Sequence, residues 1–195
     1  MSPEDSQLIA EYRNGKKEAF DTLVKRHFNH VYAFVSRLTN AEEDSADITQ
    51  DVFVKVWKNL GHYRLNEPFK PWLLQIARNS AIDWLRKRKN IAFSAFDSDS
   101  GDNVLSDTLA DEEELPDEIA ARAEDAQTLS TTLAHLSLPE RDVLLLYYEQ
   151  ELTFDEISKL LKEPLHTVKS RARRALIKLK GMLLHQTTDD KRNNE

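Results

Sequence analysis

Cysteine is absent from the 195-residue sequence, so the chain holds no disulfide and no thiolate metal site. Glycine occurs only 4 times, too few for phosphate-cradling loops or an up-and-down β fold. No run of about 18 apolar residues is present, and no basic start leads into a short apolar stretch, which leaves neither a membrane span nor a secretion signal in view. These absences point to a cytoplasmic protein. Apolar residues recur mostly at steps of three and four, so the expected fold class is all-α. The length accommodates two small domains as readily as one, because about 100 residues can still bury a core.

The formal net charge of −7 is unevenly spread: residues 1–90 carry +3, residues 91–127 carry −11 and residues 128–195 carry +1. The acidic stretch Ile91 to Gln127 includes Asp111-Glu112-Glu113-Glu114 and has no clear periodicity. It cannot bury enough apolar surface to order itself. A segment of this length is too long for a loop inside one compact domain. It is therefore read as a flexible acidic linker between two small helical domains, 1–90 and 128–184, with 185–195 a disordered tail. Fully extended, it would span about 120 Å at about 3.3 Å per residue. The acidic charge by itself suits a solvated spacer equally well.

In the first domain, Phe20, Leu23, Val24, His27, Phe28, Val31, Phe34, Val35 and Leu38 form the apolar stripe of a helix from about Lys16 to Leu38. A second helix is expected from about Ala46 to Leu60, with Ile48, Val52, Phe53, Val56, Trp57 and Leu60 inward. That leaves Asp47, Gln50, Asp51, Val54, Lys55 and Lys58 on or near its outer face. Gly61 ends it. A third helix follows Pro71, with Asn79, Asp83 and the run Arg86-Lys87-Arg88-Lys89 emerging toward its end. Such a run attracts phosphates, although cations at a helix C-terminus also simply oppose the macrodipole. The loop Gly61 to Lys70 gathers His62, Tyr63, Arg64, Asn66 and Phe69, a mixture suited to stacking on an unpaired base. An ordinary connection with buried aromatics has the same composition.

In the second domain, Leu129, Leu133 and Leu136 start a helix, and Ser137-Leu138-Pro139-Glu140 supplies a break and a capping pair for the next. Thr153-Phe154-Asp155-Glu156 is another capping box, opening a short helix that stops at Lys162-Glu163-Pro164. A further helix begins near Leu165, with Val168, Ala172, Ala175, Leu176 and Leu179 as its inward stripe. Short helix, tight break and second helix make a helix-turn-helix. The face opposite the stripe carries His166, Ser170, Arg173, Arg174 and Ile177, with Thr167, Lys169 and Arg171 on the flanks. Packing does not require that face to be basic, whereas a helix in the major groove does.

The segments Asp47-Ile48-Thr49-Gln50-Asp51-Val52-Phe53-Val54-Lys55-Val56-Trp57, Phe69-Lys70-Pro71-Trp72-Leu73-Leu74-Gln75-Ile76-Ala77-Arg78-Asn79 and Leu138-Pro139-Glu140-Arg141, with Thr153 to Ile157 and Thr167 to Arg171, occur here in one order. Together they resemble the bacterial RNA polymerase sigma factors of the extracytoplasmic-function type, short members of the sigma-70 family. The resemblance covers both domains. It implies a transcription initiation factor, not an enzyme, that binds core RNA polymerase at the β′ clamp and β flap and recognises promoter DNA. Asp47, Gln50, Asp51, Val54, Lys55 and Lys58 would dock on the clamp coiled coil. Tyr63, Arg64, Asn66, Phe69 and Asn79 would hold a base flipped from the −10 element, while Asp83, Arg86 and Arg88 touch the adjoining duplex. His166, Thr167, Lys169, Ser170, Arg171, Arg173 and Arg174 would read or grip the −35 element, with Arg171 on phosphate. The linker is similar to those that thread the polymerase cleft toward the RNA exit path, and an anti-sigma factor is an implied partner. Family members often have Gly before the Thr-Val pair, where this chain has His166. No cofactor and no metal is implied.

Two other readings use the same residues. A free-standing helix-turn-helix regulator would bind duplex DNA tightly by itself and use the first domain for sensing or dimerisation. A helical metalloenzyme would use His27 and His30, spaced i, i+3, with Glu18 or Asp21. No second helix supplies a matching acid, and His62, His135 and His185 form no triad.

Overall fold

The computed structural model describes residues 3–89 and 131–192, all of whose regular elements are helices. The acidic segment expected to be a linker, Ile91 to Gln127, lies outside the described residues. The first domain contains α1 (Pro3–Arg13), α2 (Glu18–Thr39), α3 (Glu42–Asn59) and α4 (Phe69–Lys89). The second contains a helical turn at 131–134, α5 (Leu138–Leu144) continued by a π-helical segment (Leu145–Glu149), then α6 (Phe154–Leu161) and α7 (Leu165–Arg192).

The α2 stripe buries Leu23, His27, Val31, Phe34, Val35 and Leu38 against Ile48, Val52, Phe53 and Val56 of α3 and Leu73, Leu74, Ala77 and Ala81 of α4. Hydroxyls in this core are satisfied locally. Thr39 donates to Val35 O at 2.8 Å and Thr49 to Ser45 O at 2.7 Å, so their burial leaves no orphaned donor. Helix α3 starts at Glu42, four residues earlier than its apolar pattern suggests, because Glu42, Glu43 and Asp44 suit the positive end of a helix. Helix α1 has no counterpart in the sequence reading. Its buried positions are Asp5 and Ile9, so a carboxylate interrupts the apolar stripe that would have disclosed it.

The second domain closes around Val143, Leu144, Leu146, Ile157, Val168, Ala172 and Ala175. Both capping boxes form. Ser137 N–H donates to Glu140 Oε2 at 3.1 Å, and Thr153 N–H to Glu156 Oε2 at 2.9 Å. The break before α7 is made by Lys162 in the left-handed region (φ 57), with Ser158 Oγ donating to Glu163 O at 2.7 Å. Helix α7 continues to Arg192 rather than ending near 184, since no proline follows Gly181 and, among the described residues, no left-handed cap does.

The two domains are packed together. Arg141, fixed by carbonyls at the end of the preceding helical turn, also donates to Leu38 O of α2 at 3.0 Å. Arg37 pairs with Glu149 at 2.7 Å, Gln75 of α4 donates to Leu160 O of α6 at 3.3 Å, and Arg78 pairs with Asp142. Besides the expected linker, these contacts also join the two domains, which the sequence by itself does not anticipate. Charge totals per segment cannot reveal pairs that cross between segments.

Candidate functional site

Helix α7 separates its residues into two faces. Val168, Ala172, Ala175, Leu176 and Leu179 are buried, and His166, Lys169, Ser170, Arg173, Arg174 and Ile177 are exposed. Thr167 is half-buried at the helix start, where its carbonyl accepts from Ser170 Oγ at 3.0 Å. Arg171 departs from the expected phosphate-gripping role. It is 8% exposed and pairs with Glu163 at 2.7 Å, tying α7 to the turn before it. Spacing alone puts Arg171 on a flank; the turn's own carboxylate draws it inward.

On α3, Asp47, Gln50, Asp51, Val54, Lys55 and Lys58 are exposed, as expected of an outer face. Trp57 joins them at 53% exposure, a correction to its inward placement. One helical step beyond Val56 carries it past the core edge. Trp57 and Val54 line an open apolar groove with Phe53 and with Phe20, Val24 and Phe28 of α2. Lys55 also reaches α4, donating to Ser80 Oγ at 2.8 Å.

Two protein-family descriptions match the chain: sigma-70 region 2 over residues 23–91 and sigma-70 region 4 over residues 132–181. The RNA polymerase sigma factor CnrH of Cupriavidus metallidurans is 32% identical over 186 residues, covering 94% of this chain and 97% of that protein. The chain belongs to the sigma-70 family. The ECF RNA polymerase sigma factor SigW of Bacillus subtilis is 28% identical over 177 residues, 90% of this chain and 94% of its own. The solved structure of CnrH in complex with the cytosolic domain of CnrY superposes with a TM-score of 0.67 at 27% identity, over 92% of this chain and 97% of that one. The protein is thus a promoter-directing transcription initiation factor of the extracytoplasmic-function type.

In this sigma factor the loop between α3 and α4 is built from the inside. Tyr63 is 4% exposed and Phe69 fully buried, and they pack with Trp72 at ring-centroid distances of 4.9–5.7 Å. Burial pushes the Tyr63 phenol up to about 12, so it stays a neutral donor to Glu67 O. Neither ring is available to a base; both shape the loop from beneath. Arg64 and Asn66 stand exposed at its tip, with Arg64 3.7 Å from Glu67. Asn79 and Asp83 are exposed on α4, Arg86 lies 3.5 Å from Asp83, and Arg88 sits over the Trp84 ring at 5.0 Å while pairing with Asp44. Among the described residues no group of three or more His, Asp or Glu could hold a metal, and no helix is long and apolar enough to cross a membrane. His27 and His30 do not converge: His27 is buried with its Nε2 3.1 Å from Asp5 Oδ2, and His30 is exposed.

Proposed function

We propose that this sigma factor docks on the β′ clamp coiled coil of core RNA polymerase through Asp47, Gln50, Asp51, Val54, Lys55 and Lys58, with Trp57 in the apolar groove as an anchor. Aromatic anchors in partly apolar patches contribute strongly to association. The second domain engages the β flap, and the exposed face of α7 reads the −35 element through His166, Thr167, Lys169, Ser170, Arg173 and Arg174. Arg64 and Asn66 at the loop tip, with Asn79, hold a base flipped from the −10 element, while Asp83, Arg86 and Arg88 meet the adjoining duplex. Flipping costs a few kcal/mol, which stacking and amide hydrogen bonds offset. Opening the promoter then requires no catalytic residue, so the protein acts without enzymatic activity, in the cytoplasm where polymerase works.

The observation that carries this reading is the division of α7 between a buried apolar stripe and an exposed face holding Lys169, Arg173 and Arg174. Among the described residues, that face is not part of the core. The complex of CnrH with the cytosolic domain of CnrY supports an anti-sigma partner for this chain as well. The acidic segment from Ile91 to Gln127 joins the two heads and, as a polyanion, suits a basic polymerase channel.

Run-off transcription with purified core polymerase tests the reading. Arg173→Ala and Arg174→Ala each lower output from a −35-dependent promoter by about tenfold or more, the worth of a good base or phosphate contact, with core binding unchanged. Unchanged output would remove α7 from the reading role.

A further inference from the structure

Helix α1 lies outside the matched region 2 segment, residues 23–91, yet it reaches the loop that presents Arg64 and Asn66. Arg13, the last residue of α1, donates through Nη2 to Leu60 O at 2.8 Å and to Tyr63 O. Leu60 caps the end of α3, where helical carbonyls lack partners and partial negative charge collects. One amino group with two protons therefore gathers two carbonyls three residues apart, Leu60 O and Tyr63 O, at the near end of the loop. The far end is closed by Tyr63 Oη, which donates to Glu67 O, and by Glu67 N–H, which donates to Arg64 O at 3.0 Å. The tip between these ties is Arg64, Leu65 and Asn66, all exposed. A second contact from α1 supports the same loop, because Asp5 holds His27, whose ring meets Phe69 edge-on at 5.3 Å.

We propose that Arg13 is a positioning residue for recognition of the flipped −10 base, fixing the near end of the loop so that its tip presents one geometry to that base. This rests on the assignment of the loop made above and adds a specificity-determining element from outside the matched segment. Without the guanidinium the two carbonyls turn to water separately, and the turn from Leu60 to Tyr63 gains freedom. The cost falls on discrimination between bases. Association with polymerase, through α2 and α3, is left intact.

The test uses holoenzyme assembled from the full chain and core polymerase, on promoters carrying each of the four bases at the −10 position whose preference Asn66→Ala alters. Arg13→Ala is expected to reduce discrimination among the four by about tenfold, the scale of one well-placed base contact, with core affinity and thermal midpoint near wild type. Arg13→Lys, which keeps the cation, restores most of it. Equal loss on all four promoters, or undiminished discrimination, overturns the proposal. If Arg13→Ala does not fold, Arg13→Lys against Arg13→Gln decides the matter by the same readout. Should Asn66→Ala shift no base preference, the loop's assignment itself fails; should it shift preference while Arg13→Ala does not, only the role of Arg13 fails.

Discussion

Arg78 of α4 and Asp142 of α5 form an ion pair that joins the two domains, and Asp142 is only 2% exposed. Burial pushes the Asp142 carboxyl up, while Arg78 and Arg171 pull against it. Removing one partner of a buried pair costs about 3–5 kcal/mol as long as the other stays buried. Arg78→Ala is therefore expected to separate the heads, seen as a larger radius of gyration in small-angle scattering. Scattering identical to wild type would show that the pair does not hold them together.

The N-terminal helix responds to acid through Asp5. Burial works against its ionised form, but hydrogen bonds from His27 and Arg26 and their charges prevail, holding the carboxyl below its ordinary 3.8. A carboxyl depressed in the folded state stabilises above its unfolded value and loses that contribution as the pH falls through the folded one. Urea midpoints of wild type and Asp5→Asn should differ by a constant amount near neutral pH and converge in acid below about 3.8. A difference that persists there would assign the effect to packing instead.

Lys162 adopts φ 57 in the turn before α7, a conformation that costs a side-chain-bearing residue about 1–2 kcal/mol. Glycine avoids that cost and gives back part of it as chain entropy. Lys162→Gly should raise stability by roughly 0.5–1 kcal/mol in denaturant unfolding. A loss of stability would mean that the lysine side chain itself supports the turn.

Local signals are legible in the amino-acid sequence by themselves. Ser137 with Glu140 and Thr153 with Glu156 sit three residues apart, and the box they form needs nothing from elsewhere in the chain. The faces of α7 follow from its period alone, with the exception of Arg171, whose partner Glu163 lies across a turn. Tyr63 and Phe69 turn inward against expectation, because composition does not say which aromatic of a loop faces the core. Helix α1 is hidden because Asp5 occupies a core position, where it pairs with Arg26 and His27. The docking of one domain on the other is equally hidden, since Arg141 and Leu38 are remote in sequence and the bond uses a backbone carbonyl.

Neutralising Asp111, Glu112, Glu113 and Glu114 to the corresponding amides tests whether the acidic segment does more than connect. If its charge occupies a channel built for RNA, run-off yield falls or the balance of abortive and full-length products changes. The same yield and the same abortive pattern would leave it a spacer.

These two helical domains are expected to open promoter DNA only in company with core polymerase. This is tested most directly by the fluorescence of a 2-aminopurine placed in the −10 element. A rise is expected when core polymerase and this protein are both added, and none with either alone. No rise with both together, or a full rise with this protein by itself, would contradict the claim.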